Sequence, residues 1–190
     1  PPDAHFAGGQ VAADERLSSV GRPNPLIRCE IMNDAGEILP QGETGEICVR
    51  GDLVMKGYYK QPEKTAETIV GGWLHTGDIG HLDGDGFLHI TDRKKDMIIS
   101  GGFNVYPNEI EQVIWSLPAV QDCAVIGVPD EKWGEAVKAV VELNKGGSVT
   151  ADELIALCKD KLGSVKAPKS VDFVEALPRS PVGKVLKKDL

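Results

Sequence analysis

Nowhere in these 190 residues does an apolar run approach the length of a membrane helix, which takes about 20 residues. The opening stretch PPDAHFAGGQ has none of the charged, apolar and small-residue segments of a secretory leader. A cytoplasmic location is therefore expected. Excess positive charge is also missing, with 21 Lys and Arg against 29 Asp and Glu and a net charge of −8. Nucleic-acid binding needs clustered cations facing phosphates, so this balance argues against such a partner. Cysteine is sparse: Cys29, Cys48, Cys123 and Cys158 are far apart and form no C-x-x-C pair. Each sits in apolar or strand-like sequence, which reads as buried free thiols in a reducing compartment. The histidines (His5, His75, His81, His89) form no helical pair beside an acid, and no metal site is expected.

The rest is the composition of an ordinary globular protein, 41 % hydrophobic and 26 % charged, long enough for one large domain or two small ones. Charge is uneven along the chain. Residues 161–190 carry seven basic and three acidic side chains, either a solvated face or a surface that meets phosphates.

Residues 1–25 read as an irregular lead-in. LIRCEIM and GEICVRG are strand candidates joined by turn-forming sequence, and QPEKTAETI is a short helix with Pro62 in its first turn. WLHTGDIGHLDGDGFLHITDR reads as strands around a turn at Asp83–Gly86. In NEIEQVIWSL, Ile110, Val113, Ile114 and Leu117 fall on one helical face, and Asn108 with Glu111 has capping-box spacing. Two strands follow, DCAVIGV and EAVKAVVEL, then a helix capped by Thr150 and Glu153 and stopped by Gly163. SVDFVEAL is a last strand before a Pro- and Gly-punctuated tail. The fold class is α+β: a small antiparallel β lobe, then a compact α+β domain. Between them, five charged residues, Asp92 to Asp96, run straight into Met97-Ile98-Ile99 and a double glycine. The domain boundary is placed in this charge knot, giving 1–94 and 95–190.

Four motifs occur in order: GEICVRGDLVMKGYY (45–59), WLHTGDIG (73–80), DRKKDMIISGGFNVYPNEIE (92–111) and PRSPVGKVLKKDL (178–190). Together, over residues 20–190, they resemble the adenylate-forming superfamily of acyl- and aryl-CoA synthetases, luciferases and peptide-synthetase adenylation domains. The resemblance implies a two-step ligase. A carboxylate attacks the α-phosphate of ATP to give acyl-AMP and pyrophosphate, and the thiol of coenzyme A then displaces AMP.

Alone, Asp78 in HTGD would be read as closing a turn, although its carboxylate suits the two hydroxyls of a ribose. The resemblance gives it that ribose. It makes Arg93 the arginine near the AMP ribose and phosphate, and Ile90 the apolar contact at the nucleotide. Lys184, in a P-x-G-K setting, becomes the catalytic lysine of adenylation, where a mobile ammonium meets phosphoryl charge. It is not a Walker A lysine, because position 178 is Pro and no Ser or Thr follows. Lys187 and Lys188 are read as solvated. Gly101 and Gly102, which could simply end a strand, would let the pantetheine arm of CoA approach the backbone. Lys95 falls at the family's hinge, making 95–190 a mobile domain and 1–94 the last β subdomain of an N-terminal adenylate-binding domain.

The family's Ser/Thr/Gly-rich phosphate loop and its aromatic-Gly-x-Thr-Glu motif, which serves adenine and magnesium, do not occur in this sequence. The acid pocket also lies upstream in the family. The chain is thus expected to be the C-terminal portion of a synthetase for a fatty or aryl acid, inactive alone, with magnesium arriving with ATP and held elsewhere. Its partners would be the small-molecule carboxylic acid, ATP, CoA and the missing N-terminal domain. Two alternatives stand beside this: an adenylation domain that loads a carrier protein, and a non-catalytic adenylate-binding module.

Overall fold

The computed structural model describes residues 18–190, so most of the lead-in over 1–25 lies outside the described residues. The chain divides into two compact units, the first ending at Lys94 and the second beginning at Lys95.

The first unit is built on a five-stranded antiparallel sheet of β1 (Ile27–Met32), β2 (Gly45–Gly51), β3 (Ile69–Val70), β4 (Trp73–Leu82) and β5 (Leu88–Arg93). The path runs β1-β2-β4-β3, with β5 also paired to β4. Asparagine and aspartate set its turns. Asn33 Oδ1 accepts hydrogen bonds from the N–H groups of Ala35 and Glu37, each at 3.0 Å. Asp83 Oδ1 likewise accepts from Asp85 N–H and Phe87 N–H at 2.9 and 2.8 Å, closing the β4–β5 hairpin. Helix α1 (Pro62–Thr68) opens on its proline and buries no residue, so it decorates the sheet rather than forming its core.

One irregularity falls at the HTGD motif. Between the pairs Glu46↔Ile79 and Cys48↔His75, Thr76, Gly77 and Asp78 of β4 stand opposite Ile47 alone. This bulge bends β4 at the HTGD motif, as an unpaired insertion in a ladder does. Gly77 takes φ +72° within it, and its N–H donates to Glu46 Oε1 at 3.2 Å.

A single 3-10 turn, Lys94–Asp96, leads to β6 (Ile98–Ser100). Gly101 and Gly102 do not merely end that strand. They form the two-residue turn of a hairpin with β7 (Phe103–Val105), both at positive φ (59° and 83°), as this turn class requires. The sequence reading passes from the glycines directly to a helix; β7 is too short to show a pattern.

Helix α2 (Pro107–Trp115) corrects the expected cap. Its N-cap is Tyr106, with no side-chain cap bond, and Pro107 takes the first helical position. Proline, which has no N–H to satisfy, is suited there. The start therefore falls before Asn108, and Glu111 lies inside the helix, buried. Next, β8 (Val120–Asp130) and β9 (Gly134–Leu143) form a long antiparallel hairpin. Helix α3 (Ala151–Lys166) has the reciprocal Thr150–Glu153 capping box that the sequence predicts. Gly163 (φ 83°, ψ 169°) breaks its helical path near the expected stop, and a last turn continues to Lys166.

Strand β10 (Ser170–Val174) pairs parallel to β9, so the second sheet, ordered β10-β9-β6-β7 with β8 on β9, is mixed. Ile98, Val105, Ile110, Ile114, Val125 and Leu154 form the heart of its core, together with Cys158. Each fully buried aliphatic side chain contributes roughly 1.5–3 kcal/mol. Among the described residues no helix is long and apolar enough to cross a membrane.

Candidate functional site

In the first unit the bulge positions Asp78 and the β4–β5 ladder supplies its partner. Asp78 is paired across the ladder with Arg93, and Arg93 Nη1 donates to Asp78 Oδ1 at 2.6 Å. The guanidinium side chain is 55 % exposed and the carboxylate 29 %. Both charges can thus meet a ligand from solvent. Ile90, on the same strand as Arg93, is 48 % exposed, an unusual place for an isoleucine that served only the core. The three residues expected to face the nucleotide therefore lie on the neighbouring strands β4 and β5.

Behind them lies a network that sequence reasoning missed. Glu46, 6 % exposed, accepts from Lys94 Nζ at 3.0 Å and lies 3.0 Å from His75 Nδ1. Burial alone would push its carboxyl up, but hydrogen bonds from His75 and Lys94 outweigh that and hold it below the usual range. Lys94 also reaches Asp34 Oδ1 at 2.8 Å. The Asp34 bond, and then Glu46, raise its ammonium above the ordinary lysine range. One residue of the charge knot is thus tied down, while its neighbour Lys95 is exposed. No metal site is expected from the sequence, yet the register sets Glu46, Cys48 and His75 side by side. Burial first, then the charge of Glu46, push the Cys48 thiol up to about 12.

In the second unit the tail folds into a small hairpin. Arg179 bridges to Val185, Ser180 N–H donates to the Lys184 carbonyl at 2.8 Å, and Lys184 N–H donates to Ser180 Oγ at 3.1 Å. Gly183, at φ +84°, makes the turn. The Lys184 residue is exposed while its backbone is fixed on both sides. Arg179 anchors the hairpin through Asp122 and, at 3.7 Å, Glu142. Lys187 is not solvated as expected. Its Nζ pairs with Glu111 Oε1 at 2.8 Å, and the same oxygen accepts from Val125 N–H at 2.8 Å. The glutamate read as a cap is instead the buried anchor of the tail. Lys188 is exposed, as the sequence suggests.

Gly101 and Gly102 are exposed at their turn. A side chain on Gly101 would come within 2.7 Å of the Trp133 ring, whereas nothing lies within 4 Å of one on Gly102. Gly101 N–H also donates to the Trp133 carbonyl at 2.8 Å. Glycine at 101 thus admits the indole, a role the sequence alone does not reveal.

The family model for AMP-binding enzymes matches residues 4–59, and that for the AMP-binding enzyme C-terminal domain matches residues 109–184. A feruloyl-CoA synthase of Amycolatopsis sp is 48 % identical over 93 % of this chain and 36 % of its own length. A long-chain-fatty-acid–CoA ligase of Escherichia coli O6:H1 is also 48 % identical, over 93 % of this chain and 31 % of its own. The amide bond synthetase McbA from Marinactinospora thermotolerans superposes with a TM-score of 0.84 at 45 % identity, over 94 % of this chain and 37 % of its own. The chain thus spans about a third of the length of the curated relatives it matches.

Proposed function

Since the chain belongs to the AMP-binding, adenylate-forming enzyme family, we propose that it is the C-terminal portion of an ATP-dependent acyl-CoA synthetase for a fatty or aryl acid. The Asp78–Arg93 pair on the β4 bulge is the observation that carries this reading. The Asp78 carboxylate accepts the ribose hydroxyls of AMP. Arg93, already oriented by Asp78, turns its remaining donors to the ribose and phosphate, as a planar guanidinium is suited to do. Ile90 covers an apolar face of the nucleotide.

In this reading Lys184 brings its ammonium to the α-phosphate as negative charge builds in the first step. The second unit then turns about Lys95, and the Gly101–Gly102 hairpin borders the path of the pantetheine thiol. Magnesium accompanies ATP, and the acid is held by a part of the enzyme upstream of these residues. Two relatives named for CoA ligation, one for an aryl acid and one for fatty acids, support the thioester and the acid class. The similarity to an amide bond synthetase makes the acceptor the point to test.

The complete gene product, supplied with ATP, ferulate or a long-chain fatty acid, and either CoA or a simple amine, separates these outcomes. Thioester formation with CoA is expected. Amide formation with no thioester overturns the CoA acceptor, and no pyrophosphate release with any acid overturns the ligase.

A further inference from the structure

The first sheet holds three metal-ligating side chains that the nucleotide chemistry does not use. Cys48 of β2 stands directly opposite His75 of β4, and Glu46 lies two residues before Cys48, on the same face of the strand. His75 Nδ1 is 3.4 Å from Cys48 Sγ and 3.0 Å from Glu46 Oε2. All three donor atoms lie within 4.8 Å of one another. Tetrahedral zinc has bonds of about 2.0–2.3 Å to these donors, which sets the ligand atoms roughly 3.3–3.6 Å apart. The two short separations in the cluster are close to those edges already.

We propose that Glu46 Oε2, Cys48 Sγ and His75 Nδ1 form a zinc-binding site in the β lobe, with water as the fourth ligand. The donor set of one thiolate, one imidazole and one carboxylate suits a borderline-soft dication and disfavours magnesium or calcium, which take oxygen ligands. On binding, the Cys48 S–H bond breaks, the sulfur pair forms the bond to zinc, and the proton leaves to solvent. No electron transfer is involved. Glu46 and Cys48 are buried and His75 is half-buried, so the imidazole side is the route of entry.

Lys94 competes for the site. Its ammonium sits 3.0 Å from Glu46 Oε2, where it supplies positive charge in the metal's place. Zinc displaces it, leaving Asp34, 2.8 Å away, as its partner. Lys94 is the first residue of the 3-10 turn that contains Lys95, and Glu46 Oε1 holds Gly77 beside Asp78. Occupancy at this cluster is therefore coupled to both the domain boundary and the β4 bulge.

Cobalt(II), a spectroscopic stand-in for zinc, tests this on the 190-residue chain. A thiolate-to-cobalt charge-transfer band should grow to saturation at one equivalent and be abolished by zinc. Cys48→Ser should remove the band and His75→Gln should weaken zinc binding by roughly tenfold or more, while Cys29→Ser leaves both unchanged. Lys94→Met keeps every ligand and removes the competing charge, so zinc should bind more tightly to it than to the wild-type chain. No band in the wild-type chain, or a band that survives Cys48→Ser or is lost in Cys29→Ser, overturns the site. Should Cys48→Ser lose its native circular dichroism, Lys94→Met decides, and unchanged zinc affinity there overturns the proposal.

Discussion

At Lys184 the backbone is held on both sides by Ser180 while the residue itself is exposed. That suits a charge that must reach a phosphate from a fixed base. In the complete enzyme, Lys184→Ala should slow acyl-AMP formation by about 10²–10³-fold, the usual cost of one preorganised charge at a transition state. Thioester formation from preformed acyl-AMP should be unaffected. Equal loss in both half-reactions, measured separately, would make the lysine structural. Glu46 gives a pH test on the chain itself. Its carboxyl is held below the usual range, so its stabilising effect is complete above about pH 4.3, the ordinary glutamate value. That stabilisation is lost as pH falls through the depressed folded value. Thermal unfolding of Glu46→Gln should show a smaller loss of stability between pH 5 and pH 3 (roughly the carboxylate range) than the wild-type chain does. The residues proposed to carry chemistry, Asp78, Arg93 and Lys184, can be nominated from the sequence because each sits in a short motif. Glu111–Lys187 and Glu46–His75–Lys94 cannot be, because their partners are distant in sequence and meet only through sheet register and the inward turn of α2.

Elements were read best where local chemistry decides them. The Thr150–Glu153 box is a local signal spanning four residues, and the structure has it in full. Thr150→Ala should cost about 1 kcal/mol in urea denaturation followed by helical circular dichroism; an unchanged midpoint would remove the cap as a source of stability. Where proline competed with a capping pattern, proline set the start of α2, and where strands shrank to three residues no periodicity was left to find. The 3-10 turn Lys94–Asp96 is the element on which the proposed domain alternation would rest. Lys95 is exposed at its centre, while the Lys94 side chain is bound to Glu46 and Asp34, and Lys95 is the residue proposed to absorb a change in φ and ψ. Proline fixes φ near −65° and restricts Lys94 before it, so Lys95→Pro should resist bending, with circular dichroism confirming that the variant folds. In the complete enzyme it should retain adenylation and lose thioester formation. Retained CoA transfer in the folded variant would remove Lys95 as the pivot.

On the scale of the whole molecule, the chemistry is divided unevenly between the units. The first has the Asp78–Arg93 pair and the second has Lys184, but no Ser/Thr/Gly-rich phosphate loop occurs in these 190 residues. In the proposed reading the ribose partner belongs to the first unit and the α-phosphate partner to the second, whereas the β- and γ-phosphates of ATP meet no loop of backbone N–H groups of the kind that cradles them elsewhere. Adenylation is reversible only where pyrophosphate is also bound, so partial recognition should give binding without turnover. The chain alone is expected to show weak AMP binding by calorimetry or ligand-observed NMR, and no ATP–pyrophosphate exchange with any carboxylic acid. Asp78→Ala should abolish the AMP signal, because it removes the ribose acceptor and also the bond that orients Arg93. Lys184→Ala should leave the signal largely intact, because its charge acts at the transition state. AMP binding that survives Asp78→Ala would move the nucleotide away from the β4 bulge. Robust exchange by the chain would mean that these residues complete a phosphate site with no glycine-rich loop at all.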